Sequence, residues 1–136
     1  QVDSSKNKGL ELELKTTLAR DLDLIANYTY IEVDPKLTDT PRNQLSVWAD
    51  YRFANGVKLG LGARFMGSNR GYQQSTPVPV PSYTVFDAML GYDFERWSLA
   101  LNLRNLTNKT YIANCGYGNC YYGYPRTATA TATYRW

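Results

Sequence analysis

The last eleven residues, Arg126-Thr-Ala-Thr-Ala-Thr-Ala-Thr-Tyr-Arg-Trp136, alternate without a break. A strand sends successive side chains to opposite faces. Ala128, Ala130, Ala132, Tyr134 and Trp136 therefore share one face, and Thr127, Thr129, Thr131, Thr133 and Arg135 the other. A helical period does not separate these sets. The apolar face is graded, small residues first and aromatic ones last, which suits a strand that crosses a bilayer and ends among the headgroups. An edge strand of a soluble sandwich alternates in the same way, so the rest of the chain has to decide.

The same period of two recurs upstream. Leu10, Leu12 and Leu14 oppose Glu11, Glu13 and Lys15; Leu22, Leu24, Ala26, Tyr28 and Tyr30 oppose Asp23, Asn27 and Thr29, with Ile25 the one mismatch. Leu45, Val47, Ala49, Tyr51 and Phe53 oppose Ser46, Trp48, Asp50 and Arg52. A fourth strand sets Val57, Leu59, Leu61, Ala63 and Phe65 against Lys58, Gly60, Gly62 and Arg64. In the fifth, Phe86, Ala88, Leu90, Tyr92 and Phe94 oppose Asp87, Gly91 and Asp93, with Met89 the exception. The sixth places Trp97, Leu99, Leu101 and Leu103 against Ser98, Ala100, Asn102 and Arg104. The pattern predicts about seven antiparallel strands of the length a tilted bilayer crossing needs.

The connections alternate in length. Ala19-Arg20-Asp21, Ala54-Asn55-Gly56 and Glu95-Arg96 are minimal turns, whereas Val33–Pro41, Gly67–Pro81 and Leu106–Pro125 are long loops. Short turns on one side and long loops on the other mark an outer-membrane β-barrel, with the turns periplasmic and the loops external. The aromatics agree. Tyr51, Phe53, Tyr92, Phe94, Trp97, Tyr134 and Trp136 fall on the apolar face at the short-turn ends, and Tyr28, Tyr30 and Phe65 at the opposite ends. Two belts at fixed heights fit the two interfaces of a membrane, and a soluble sandwich has no cause to sort its aromatics so. The charged parity, which includes Glu11, Glu13, Asp50, Arg52, Arg64, Asp87 and Arg104, must line water or another part of the protein.

Composition closes off several function classes. A net charge of +3, with basic residues scattered singly among acidic ones, offers no track for nucleic acid. The chain has no histidine, which removes Ser-His and Cys-His catalysis and the commonest metal ligand. No catalytic residue, metal site or directly bound cofactor is expected. Cys115 and Cys120, in a segment of Gly, Tyr and Asn, make a poor zinc site and read better as a small disulfide-closed loop in an oxidising compartment.

Seven strands cannot close an antiparallel barrel, and an open sheet would present unpaired edges to hydrocarbon. The expectation is that residues 1–136 form roughly the last third of a larger barrel.

Particular segments carry a family likeness. Pro81-Ser-Tyr-Thr-Val-Phe-Asp-Ala-Met-Leu-Gly-Tyr-Asp93 and Trp97-Ser-Leu-Ala-Leu-Asn-Leu-Arg-Asn-Leu-Thr-Asn-Lys-Thr-Tyr111 closely resemble the C-terminal barrel of TonB-dependent siderophore receptors. Asn105–Tyr111 is the strongest marker; Lys8-Gly-Leu-Glu-Leu-Glu13 and Trp48-Ala-Asp-Tyr-Arg52 also match. Cys115-Gly-Tyr-Gly-Asn-Cys120, followed by Tyr121, Tyr122 and Gly123, resembles the last external loop of the ferrichrome, or hydroxamate, branch.

That resemblance implies a Gram-negative outer-membrane barrel of about 22 strands filled by a plug. These residues would be about its last seven strands, with plug and earlier strands absent. It implies a ferric siderophore as transported ligand, and as partners TonB, the plug and remaining barrel, outer-membrane lipid and the outer-membrane assembly machinery. Tyr117, Tyr121 and Tyr122 are the siderophore-binding candidates, and Tyr134 and Trp136 the C-terminal assembly signal. The competing expectations are a small autonomous outer-membrane barrel that binds or anchors, a soluble ligand-binding barrel and, weakest for want of histidine, an outer-membrane enzyme.

Overall fold

The alternating segments fold as strands in a computed structural model, which describes residues 8–32, 40–73, 76–116 and 118–136. Among the described residues eleven strands follow one another: β1 (Lys8–Ala19), β2 (Leu22–Glu32), β3 (Asn43–Arg52), β4 (Val57–Met66), β5 (Asn69–Gln73), β6 (Thr76–Val80), β7 (Tyr83–Phe94), β8 (Trp97–Arg104), β9 (Ile112–Gly116), β10 (Asn119–Tyr122) and β11 (Thr127–Tyr134). Seven of them make one antiparallel sheet in the order β1-β2-β3-β4-β7-β8-β11. These are the seven that the period of two predicts. The sheet does not close on itself: β1 and β11 are its edges.

The other four strands form two hairpins, β5-β6 and β9-β10, inside stretches that the sequence marks only as long loops. Pro77 and Pro79 lie in β6. A proline cannot donate to a ladder but tolerates an edge strand, so a two-stranded hairpin accommodates both. The boundaries shift by a few residues elsewhere. β7 begins at Tyr83, because Tyr83, Thr84 and Val85 pair with Met66, Phe65 and Arg64. β1 runs on to Ala19 through a register shift next to Leu18, leaving Arg20-Asp21 as the turn, with Asp21 at φ 63°. At the next turn only Gly56 takes a positive φ, and the Phe53 N–H donates to the Val57 carbonyl at 2.8 Å. This is the three-residue hairpin loop, with its left-handed residue last.

Register fixes the two faces. Leu22, Tyr51, Leu59, Leu90, Leu101 and Ala130 lie in one row across six strands, and Leu24, Ala49, Leu61, Ala88, Leu103 and Ala128 in the next. Leu10, Leu12, Leu14, Leu61, Leu90 and many other large apolar side chains on this face are exposed. So large an apolar surface marks contact with something other than water. Its short-turn end carries paired rings: Tyr51 with Phe53 at 4.6 Å, Tyr92 with Phe94 at 5.4 Å, and Trp97 with Tyr134 at 5.0 Å.

The opposite face holds the charges, and among the described residues three ion pairs form on it. Arg52 bridges to Asp23, which also accepts from the Thr17 hydroxyl at 2.8 Å. Lys58 bridges to Asp93, which accepts from Ser98 at 2.6 Å. One break in parity, Ile25, resolves here. Ile25 pairs with Lys15 and Trp48, so it lies on the polar face beside the indole. The Trp48 ring in turn covers Gly60 and Gly62, where an added Cβ would come within 2.4 and 2.3 Å of it. The glycines are the floor on which the indole lies.

An arginine introduced on the apolar face near mid-height should therefore be far more damaging than one placed a residue away. Leu101→Arg is expected to cost about 2–4 kcal/mol of folding in the membrane, against about 1 kcal/mol or less for Asn102→Arg. Heat-modifiable mobility of the extracted protein reads the folded fraction; equal losses would reverse the face assignment.

Candidate ligand-facing site at the hairpin end

The end of the sheet opposite the short turns is capped by the two hairpins. In β9-β10, Cys115 and Cys120 are directly paired residues and their sulfurs are bonded, S–S 2.04 Å. Cys115 is fully buried. What covers it is the other hairpin: Gly71 of β5 lies so close that a Cβ there would sit 2.3 Å from the Cys115 carbonyl oxygen and 2.5 Å from its Cβ. Only a residue without a side chain permits that approach. The two hairpins thus pack as one layer.

A clamp below that layer ties it to the barrel wall. Asn105, at φ 50° and 3% exposed, follows the last residue of β8. Asn and Asp tolerate this left-handed conformation better than other non-glycine residues. Its backbone N–H donates to Asp87 Oδ1 at 2.9 Å. Its Nδ2 donates to the carbonyls of Lys109, at 2.8 Å, and Tyr124, at 3.0 Å, and its Oδ1 accepts from the Lys109 N–H at 2.8 Å. One buried side chain thus fastens both ends of the 106–125 loop. Asn108, at φ 53°, adds a bond from the Arg126 N–H to its Oδ1 at 2.9 Å, at the start of β11. Asp87 completes the clamp, accepting from Arg64 Nε at 2.7 Å and Nη2 at 3.1 Å. The fork geometry suits a guanidinium–carboxylate pair, stronger than neutral bonds.

Beside the clamp, on the polar face, is a hollow of about 310 Å³ lined by Arg64, Arg104, Asn105, Tyr111, Tyr124 and Thr127, among others. Tyr111 stacks on Tyr83 with ring centres 4.1 Å apart. The hollow offers guanidinium donors, tyrosine rings with hydroxyls and no catalytic pair; among the described residues no cluster of His, Cys, Asp or Glu could hold a metal.

Of the tyrosines singled out from the sequence, Tyr117 lies outside the described residues. Tyr121 and Tyr122 are on β10, 51% and 70% exposed, and do not line the hollow. Tyr111 and Tyr124, which do, were not flagged by sequence reasoning. The signal available was their position, Tyr111 closing the Asn105–Tyr111 segment and Tyr124 preceding Pro125. At the far end of the sheet, Tyr134 packs on Trp97, while Trp136 follows β11 and is 99% exposed.

Asn105→Ala removes three side-chain bonds from a buried position. It should cost about 1–3 kcal/mol and loosen both ends of the loop. Thermal unfolding, with protease sensitivity between 106 and 125, checks this; unchanged cleavage of that segment would show that the loop is held elsewhere.

Comparison with known proteins places this architecture. The chain is 36% identical over 149 residues to the ferrichrome outer membrane transporter/phage receptor of Escherichia coli, an alignment covering 94% of this chain and 20% of that protein. It is 33% identical to the ferrioxamine receptor of Yersinia enterocolitica, with 94% and 20% covered. Among solved structures, the ferric-catecholate import receptor Fiu of Escherichia coli superposes with a TM-score of 0.82 at 28% identity, over 94% of this chain and 20% of Fiu. The ferripyoverdine receptor of Pseudomonas aeruginosa, bound to ferripyoverdine, superposes at 0.80 with 29% identity, over 94% and 19%. The chain thus spans about one fifth of the length of these relatives. Residues 1–106 match the family described as TonB dependent receptor-like, beta-barrel, and the chain belongs to that family of outer-membrane proteins.

Proposed function

We propose that residues 1–136 form the wall and external loops of a TonB-dependent outer-membrane receptor that takes up a ferric siderophore, as about the last seven strands of its barrel. The observation that carries this is one continuous construction. A sheet with a lipid-facing apolar surface leads through the Asp87–Asn105 clamp into a fixed pair of external hairpins bearing exposed tyrosines. Relatives named as ferrichrome and ferrioxamine receptors support the ligand class. The open edges at β1 and β11 are where the remaining barrel would pair, since unpaired strand edges are not tolerated in hydrocarbon. Energy would reach the barrel through TonB, and the plug would occupy the charged face. The role is binding and transport rather than catalysis, and iron enters only as cargo within its chelate.

Tyr121 and Tyr122 are proposed as ligand contacts from β10, with Tyr117 as a third. Exposed rings with hydroxyls can stack on a chelate and hydrogen-bond to it. In the receptor in its native membrane, Tyr121→Ala with Tyr122→Ala should weaken binding of the ferric siderophore by about tenfold or more while leaving the barrel folded. Unchanged affinity would reduce this hairpin to a cover.

Tyr134 and Trp136 are proposed as the assembly signal and interfacial anchor. Both share the lipid-facing parity, and Tyr134 belongs to the ring cluster with Trp97. Deleting Trp136 should lower outer-membrane yield several-fold, whereas Arg135→Ser on the other face should leave it near normal. Similar folded fractions for the two variants would remove that role.

A further inference from the structure

Along β4, β7, β8 and β11 charge is distributed unevenly with height, whereas β1 and β2 carry Glu11, Glu13 and Glu32 toward the same external end. From Ala63 to Ala88 and from Leu103 to Thr127, the stretches that build the external ends of β4, β7, β8 and β11 and both hairpins, the chain carries Arg64, Arg70, Arg104, Lys109 and Arg126 against a single carboxylate, Asp87. At the periplasmic ends of β3, β4, β7, β8 and β11 the signs nearly balance: Asp50, Asp93 and Glu95 against Arg52, Lys58, Arg96 and Arg135. Asp87 is already committed to Arg64 and to the Asn105 N–H. Among the described residues Arg104 makes no ion pair, and it lines the hollow beside Tyr111 and Tyr124.

We propose that this external mouth selects a ferric chelate that is anionic and aromatic, of the tris-catecholate kind, with Arg104 as the charge-reading residue. The proposal rests on the receptor role above and narrows it. Like-signed charges around a cleft with low-dielectric walls raise the local concentration of the opposite ion. A tris-catecholate leaves its ferric complex multiply negative and presents flat rings on its outside. A trihydroxamate balances the ferric charge and presents none. The guanidinium of Arg104 can bond a catecholate oxygen and lie against its ring, and Tyr111 and Tyr124 offer further faces. At about 310 Å³ the hollow is of a size to admit one arm of such a chelate rather than the whole.

The test uses outer-membrane vesicles carrying the receptor at its natural length. Equilibrium binding of an iron-labelled synthetic tris-catecholate and of iron-labelled ferrichrome is measured for the unaltered protein, Arg104→Gln and Arg104→Lys. Heat-modifiable mobility confirms equal folded fractions. The tris-catecholate should bind more tightly than ferrichrome, and its affinity should fall on adding salt. Arg104→Gln should weaken it by about tenfold, with Arg104→Lys recovering most of the loss and ferrichrome shifting less than about twofold. Tighter binding of ferrichrome, or an equal loss for both ligands, would overturn the charge selection and leave the receptor role standing. Binding of neither chelate by well-folded protein would overturn the receptor role itself.

Discussion

Everything in this sheet depends on the cost of leaving a backbone N–H or C=O unpaired in hydrocarbon. That cost, several kcal/mol for each group, forbids irregular chain at the depth of the lipid tails and forces each crossing into the same ladder. A ladder has a period of two, so one face must be tolerable to lipid and the other is free to be polar. The rows that run from Leu22 to Ala130 and from Leu24 to Ala128 follow from that requirement. So does the placing of the irregular elements. The register shift in β1 lies next to the turn at Arg20-Asp21, and both extra hairpins project beyond the ends of the long strands.

The polar face is organised by height. Near the short turns, Asp23 with Arg52 and Asp93 with Lys58 are local pairs between neighbouring strands, reinforced by Thr17 and Ser98. Near the external end a bidentate pair, Arg64 with Asp87, is joined to a backbone N–H and through Asn105 to the loop. A carboxylate that accepts from a guanidinium and an amide together is well satisfied, and truncating one partner leaves the others exposed to the deficit. The wall and the loop above it are therefore coupled through Asp87 and Asn105, not merely adjacent.

The strands were legible in the residues because alternation leaves no second interpretation over so many repeats. Parity identified the lipid face, the two aromatic belts and even the exceptions, Ile25 and Met89, though not the glycine floor beneath the Trp48 indole. The external layer was less legible. Its hairpins are short and carry Pro77, Pro79 and several glycines, so neither pattern nor propensity announces them. The binding candidates were drawn from rings near the cysteines, whereas the hollow is lined by Tyr111 and Tyr124, brought in by the clamp. Asn105 was visible only as part of a family marker. Its work, four hydrogen bonds from one left-handed residue, depends on partners four and nineteen positions away in the chain and on a carboxylate in another strand.

The contact of Gly71 with Cys115 has a bearing on how such receptors could be recombined. The two external hairpins come from different parts of the chain, yet each is shaped to the other's backbone, and a side chain at Gly71 would meet main-chain atoms that cannot step aside. A hairpin transplanted alone into a related barrel would arrive without its counterpart. The natural cassette for exchanging external surface between relatives is consequently the pair, residues 67–81 together with 106–125, along with the two strands between them that hold the pair in register.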